Sequence, residues 1–441
     1  MAMKITLLDY CSEKNRGDAA IQQAIIRHIN KNKSGELELN IITVFGNNEQ
    51  EKMLAHFDHS LQEGVRLLGG IKPTFFSKKL FGHANILFTE VLNFAGVFFA
   101  YAYILMIYPG FPHEFIKILL TNKNVNTFEV INNSDLIFLK GRNYRSRNHR
   151  ALEIIRTASL LYNGFLASAL DKKIILVGGS FWQLSDGFSK SLIIRLLRKC
   201  ELIGVRESFS EKLIRELLPS KMIEKIRLIP DLGFSAFERN FLDNLREKKH
   251  SRHRNLIKVG VVLMSWKTDG ENIYKNYLFS VRNFILTQIN LGAMIFFIPQ
   301  VEKEWESDDE AANAILAKLT STQRRNVVCL KKDLMINDLI SIYNNMDFVL
   351  TTRMHAAIFS VLTGTPTISI SYDSGAKWET LTDIGFKQFV CPISEVSSER
   401  LELMSSDLRI KFKDREKNMH EILEYYPAQL DRFFEESLHN S

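Results

Sequence analysis

Short apolar runs alternate with longer stretches of helical spacing along most of the chain. Lys4–Asp9, Leu37–Val44, Asp135–Leu139, Lys173–Val177, Leu202–Arg206 and Lys225–Ile229 have the length and apolar content of buried strands. Helical spacing follows from about Ala19 to Ile29 and again over Ala151–Leu170. A second series starts at Lys258–Met264 and runs through Ala293–Pro299, Val327–Leu330, Phe348–Thr351 and Thr367–Ser371. Strands alternating with helices predict a parallel sheet covered on both faces. The charged stretch Asp243–Asn255 breaks the alternation and reads as a linker. The pattern therefore predicts two doubly wound α/β domains, 1–242 and 256–395, joined by 243–255 and followed by a helical segment, 396–441.

One stretch departs from this pattern. Val91–Tyr108 (VLNFAGVFFAYAYILMIY) carries no charge, and it sits inside an insertion of about residues 85–115. Its length is at the lower limit for crossing a bilayer. Strands before and after it belong to one sheet, so both flanks lie on one side. Basic residues flank it (Lys72, Lys78, Lys79, Lys117, Lys123), which suits a re-entrant or interface-lying helix on the cytoplasmic face. A buried core helix or a dimer contact is the other reading, and a homo-oligomer is compatible with it. The amino terminus, MAMKITLLDY, reads as a first strand and lacks the apolar core of a secretion signal. The expected location is the cytoplasm, at the inner face of the membrane.

Composition narrows the choices. The chain has 441 residues, 46% of them hydrophobic, and a formal charge of +7. Much of the excess lies in Lys140–Arg150 and Arg246–Arg254. No zinc-finger, RRM or helix-turn-helix signature accompanies these clusters, which excludes nucleic acid as the expected partner. The four cysteines are widely spaced, so neither a metal site nor a disulfide framework is suggested.

The candidate chemistry lies in FVLTTRMHAAIFSVLTGTPTISISY, Phe348–Tyr372. An apolar strand ends at Thr351-Thr352, and Arg353 and His355 then open a helix. Gly364 is placed to end it and Pro366 to start the next strand. Ligands of open α/β sheets bind at this carboxyl edge. Helix amino termini attract anions, Arg offers a fork to phosphate or carboxylate, and His passes protons near neutral pH. A structural salt bridge for Arg353 and a capping role for His355 are the bland alternatives. A similar turn follows the first strand: Asn15, Gly17 and Asp18 precede a helix, with Gly17 allowing close backbone approach and Asp18 suited to capping.

Taken in order, these elements resemble the polysaccharide pyruvyl transferase family. Asn15-Arg16-Gly17-Asp18-Ala19-Ala20-Ile21 looks like its early N-x-G-D-x-A-I turn. Val205-Arg206-Glu207-Ser208-Phe209-Ser210 looks like its mid-chain V-R-[DE]-x-x-S element. Arg353-Met354-His355-Ala356 through Gly364, Pro366, Ile368, Ile370 and Tyr372 resembles its late motif, and Lys377 stands where the family often has a lysine. Pro230-Asp231, Gln300 and Asp308-Asp309 resemble its P-D and Q…D-D stretches. Two loops depart: Lys140-Gly141-Arg142-Asn143 replaces a glycine run, and Gly178-Gly179-Ser180-Phe181-Trp182 replaces G-Q-S-x-G-P.

The resemblance implies a GT-B-like fold: two Rossmann-like domains with a cleft between them. It implies transfer of the pyruvyl unit of phosphoenolpyruvate onto two sugar hydroxyls as a ketal, with release of phosphate. It assigns His355, Arg353 and Asp18 to catalysis: His355 as the acid or as a stabiliser of the leaving phosphate, Arg353 as an anion anchor and Asp18 as the base. It assigns Arg206, Asn15, Gly17, Lys377, Tyr372 and Gln300 to substrate binding. It asks for no metal and no cofactor beyond the donor substrate. A sugar or lipid-linked oligosaccharide is the expected acceptor. Two rival readings remain: a GT-B glycosyltransferase using a nucleotide sugar, and a non-catalytic scaffold in polysaccharide assembly.

Overall fold

The computed structural model describes residues 2–33, 35–47, 56–57, 65–71, 122–146, 151–250, 256–303, 306–331, 333–372, 376–411 and 416–439. The apolar stretch Val91–Tyr108 lies outside them. The chain divides into two compact units. The first comprises Met1–Glu13, His28–Ile229 and Arg432–Ser441; the second comprises Lys14–Arg27 and Pro230–Asp431.

The first unit is built on a sheet of β1 (Met3–Tyr10), β2 (Leu37–Gly46), β3 (Arg66–Gly70), β4 (Leu136–Lys140), β5 (Asn143–Ser146), β6 (Lys173–Leu184), β7 (Leu202–Val205) and β8 (Ile226–Leu228). The order is β3-β2-β1-β4-β6-β7-β8, with β5 against the far end of β6. All pairs are parallel, and Ile5 of β1 faces Leu136 of β4. Every residue from Ile5 to Tyr10 is buried. A parallel strand covered on both faces is buried along its length, here with Thr6 and Asp9 among apolar neighbours.

The second unit repeats the plan with β9 (Lys258–Val262), β10 (Met294–Phe297), a hairpin of β11 (Glu302–Lys303) and β12 (Glu306–Ser307), β13 (Val327–Cys329), β14 (Phe348–Thr351), β15 (Thr367–Ser371) and β16 (Val390–Pro392). The main sheet has the order β13-β10-β9-β14-β15-β16 and is parallel throughout. From β9 the chain first steps outward to β10 and β13, then returns to β14 on the other side. Strand order reverses between β9 and β14, the point where such sheets open a crevice at their carboxyl edge. In the first unit the same reversal lies between β1 and β4.

Three local differences from the sequence reading have physical causes. The first helix is Arg16–Asn32 and starts before Ala19. Asn15 caps it: its Oδ1 accepts the Gly17 N–H at 3.2 Å, and its carbonyl accepts the Ala19 N–H at 2.9 Å. Asp18 is thus a first-turn residue and not the cap. The charged stretch read as a linker overlaps a helix, Arg239–His250, that is anchored in the second unit. Leu242 is buried there, and the Arg246 guanidinium donates to the Leu362 carbonyl at 3.0 Å. The break between units falls instead at Ile229/Pro230.

Candidate active site

The helix Met354–Leu362 follows β14 after two residues. All of its residues are buried except His355. The helix is therefore fixed by core packing on every face, and one polar side chain is left at its amino end. Gly364, at φ 64, closes the other end in the left-handed conformation. This is the placement that the sequence predicts for the Arg353/His355 motif.

His355 lies against the start of the first helix. A Cβ on Gly17 would stand 2.6 Å from Cγ of the His355 ring and closer still to Nδ1. A Cβ on Gly233 would stand 3.3 Å from its Cδ2. Nε2 lies 3.5 Å from Oδ1 of Asp231, a fully buried carboxyl group. Asp231 is itself pinned, since its Oδ1 accepts the Gly233 N–H at 2.8 Å. Gly17 is the second residue of one helix and His355 the second residue of another. Two helix amino termini therefore meet at one imidazole. Each end carries about half a positive charge, which favours an anionic ligand.

Of the two readings open for Arg353, an anion fork and a structural salt bridge, the structure shows a salt bridge. Its Nε and Nη2 both donate to Oδ1 of Asp308, at 3.0 and 2.6 Å. The other Asp308 oxygen accepts the N–H groups of Gln300 and Val301, at 2.8 and 3.1 Å. Both side chains are buried. Burial raises the Asp308 carboxyl above the ordinary range, while Arg353 and the two N–H groups pull it back. Breaking such a buried pair from one side leaves a desolvated charge and costs about 3–5 kcal/mol.

The same loop ties down the Asn15 turn. Asn15 and Val301 form an antiparallel bridge, and the Arg16 N–H donates to the Gln300 carbonyl at 3.1 Å. The Arg16 guanidinium meets Glu302 at 3.1 Å, again with both side chains buried. Gln300 is 1% exposed, and its Oε1 accepts the Tyr343 hydroxyl at 2.8 Å. Its side chain thus braces the loop from inside. Asp18 is half-buried in the first turn of its helix.

After β15, Lys377 Nζ donates to the Tyr372 hydroxyl at 2.6 Å and lies 3.9 Å from the centre of the Tyr372 ring. Trp266 packs on the same ring at 4.5 Å, and the Trp378 indole donates to the Tyr372 carbonyl at 3.1 Å. Arg206 lies in the first unit, at the end of β7. There its Nε donates to buried Glu207 at 2.6 Å, and Ser210 donates to the other Glu207 oxygen at 2.8 Å. Burial raises the Glu207 carboxyl against those partners.

Within the second unit the structure gathers Asn15, Gly17, His355 and Arg353 around one loop system. Asp231 and Asp308 complete it, and their roles were not assigned from the sequence. Both were visible only as motif letters, because an acidic residue shows its partner only once the fold is closed. Among the described residues, no group of three or more His, Cys, Asp or Glu side chains could hold a metal ion.

The first unit's switch point holds a different set. Asp9, the next-to-last residue of β1, has φ 66, a left-handed conformation unusual for a non-glycine residue. Its carboxyl is 2% exposed, and Lys140 is equally buried. Arg142 donates to the Asp9 carbonyl at 3.0 Å. Burial pushes the Asp9 carboxyl up to about 6, against the pull of Arg142 and Lys140. A Cβ on Gly141 would collide with the backbone of Gly178 and Gly179, so the two altered loops touch main chain to main chain.

The fold is that of GT-B-like enzymes. A UDP-N-acetylglucosamine 2-epimerase from Rickettsia bellii superposes with a TM-score of 0.55 at 11% identity, covering 100% of this chain and 97% of that one. MnaA of S. aureus, solved with UDP, gives 0.54 at 12% identity, covering 99% and 94%. The UDP-GlcNAc 2-epimerase from Neisseria meningitidis, bound to UDP-GlcNAc, gives 0.53 at 10% identity, covering each chain completely. No curated protein matches in sequence. The model of the polysaccharide pyruvyl transferase family matches residues 15–374, and this chain belongs to that family. It is accordingly a transferase of polysaccharide biosynthesis.

Proposed function

We propose that this protein moves the pyruvyl unit of phosphoenolpyruvate onto a sugar of a cell-surface polysaccharide precursor, forming a cyclic ketal. The observation that carries the reading is the meeting of two helix amino termini at His355, on the carboxyl edge of β14. A trianionic donor suits that positive edge. Because Arg353 is closed on Asp308, its charge is largely balanced within the protein. Direct anion contact then falls to the helix ends and to His355, and Arg353 serves to hold the loop.

In the proposed reaction, His355 gives a proton to the methylene carbon of the donor. The π electrons form the new C–H bond, and a sugar hydroxyl oxygen attacks the adjacent carbon. The hydroxyl proton returns to the imidazole. Phosphate departs with the electrons of its C–O bond, the second hydroxyl closes the ketal, and its proton leaves on phosphate. General acid–base work of this kind is worth about 10²–10⁴-fold.

Titration calorimetry on the full chain tests the donor. Phosphoenolpyruvate should bind, and UDP-GlcNAc, the ligand of a fold relative, should not compete. Binding of UDP-GlcNAc alone would favour the nucleotide-sugar reading. The acceptor is proposed to be lipid-linked, on the strength of the apolar stretch Val91–Tyr108. Among the described residues, no helix is long and apolar enough to cross a membrane. Flotation with vesicles of anionic lipid, for the parent and for a chain lacking 91–108, tests the membrane contact.

A further inference from the structure

We infer that Asp231 is a positioning residue that holds His355 by Nε2, so that Nδ1 is the nitrogen that exchanges a proton with the substrate. For the identity of the substrate this rests on the pyruvyl transfer proposed above; the geometry of the pair does not depend on it.

The two ring nitrogens have unlike surroundings. Nε2 is buried and makes no hydrogen bond, yet it faces Asp231 Oδ1 at 3.5 Å. An ionised carboxylate only accepts. The ring nitrogen that faces it is therefore the one that keeps its proton, and the other nitrogen is free to gain or lose one. Asp231 cannot swing away cheaply. It is fully buried, its Oδ1 caps the short turn Leu232–Ser235, and Pro230 precedes it. The opposite edge of the ring lies over Gly17, at the start of the first helix. Any side chain at position 17 would fill the space beside Nδ1. Gly17 thus lets the imidazole lie directly against the start of the helix, with no side chain between them.

The buried Asp231 carboxyl lies on the Nε2 side of the ring, away from the Nδ1 edge. The proton given to the methylene carbon then comes from Nδ1, and the N–H on Nε2 is kept throughout.

Two readouts test the inference on the full chain. Histidine labelled with ¹⁵N gives two-bond spectra in which His355 is identified by its loss in His355→Gln. The parent should show Nε2 protonated, with a slowly exchanging low-field proton that disappears in Asp231→Asn. The Asn variant keeps an oxygen for the Gly233 N–H, so the turn is retained. In phosphate release from phosphoenolpyruvate, Asp231→Asn should lower kcat roughly 10²-fold with little change in KM. Asp231→Glu should recover part of that loss. A parent spectrum with Nδ1 protonated, or an unchanged kcat in Asp231→Asn, would overturn the inference. Absence of phosphate release in the parent would count against pyruvyl transfer only, because the spectra still decide the role of Asp231.

Discussion

The two units present the same topological feature and fill it in opposite ways. In the first unit, the switch point between β1 and β4 is closed by buried charge: Asp9, Lys140 and the Arg142 contact, sealed where Gly141 touches Gly178 and Gly179. In the second, the switch point between β9 and β14 keeps its buried charges one step back, as Arg353–Asp308 and Asp231. That leaves a single imidazole at the edge. Each crevice is supplied by the fold. In the first, the titratable Asp9 is fully buried among its partners, whereas the second ends in a partly exposed imidazole. A switch point is therefore a location for a site, and the side chains that close or leave it decide whether a site exists.

The comparison can be broken by substitutions on each side. The largest effect is expected from His355→Ala, which should lower phosphate release by about 10²–10⁴-fold and leave melting temperature nearly unchanged. Asp308→Ala should act on stability instead. It strands Arg353 in a buried position and should cost about 3–5 kcal/mol in denaturant unfolding.

Asp9→Asn should alter the pH dependence of stability. The folded Asp9 carboxyl titrates at about 6, against an ordinary 3.8. As pH rises through this interval, the unfolded chain releases its proton first. Asp9 therefore lowers stability progressively between about pH 4 and pH 6, by about 3 kcal/mol in all. Unfolding curves of parent and variant across that range should diverge by this amount, with the variant gaining at the higher pH. Curves that stay parallel would mean that Asp9 is not the group being titrated. The smallest effect concerns Gly17→Ala. Its methyl group meets the His355 ring, and displacement of the imidazole by about 1 Å should lower turnover roughly 10²-fold.

Much of this fold was legible in the sequence because parallel strands buried on both faces leave unbroken apolar runs. β14 and β15 fall on the predicted residues, and β1 and β2 extend them by one or two. The short strands β5, β11 and β12 were missed, as were β3 and β16. β3 ends in two glycines, and β16 ends in proline at the edge of its sheet. The site was legible in part for a related reason. An Arg-x-His at a strand-to-helix turn announces itself locally, as does the glycine of an Asn-x-Gly-Asp turn. The carboxylates that hold those groups lie far away in the chain: Asp308 is 45 residues from Arg353. No local pattern shows which acid will close on which base. For that reason the sequence leaves Arg353 between an anion fork and a salt bridge, and shows Asp231 as a motif residue without a task.

The central claim is that the His355 edge of the second unit is where pyruvyl transfer takes place. The most direct measurement is phosphate release from phosphoenolpyruvate with a synthetic lipid-linked disaccharide acceptor, for the parent and for His355→Gln. The account predicts acceptor-dependent release with a ketal in the product, reduced at least about 10²-fold in the variant. Equal release from parent and variant would contradict it.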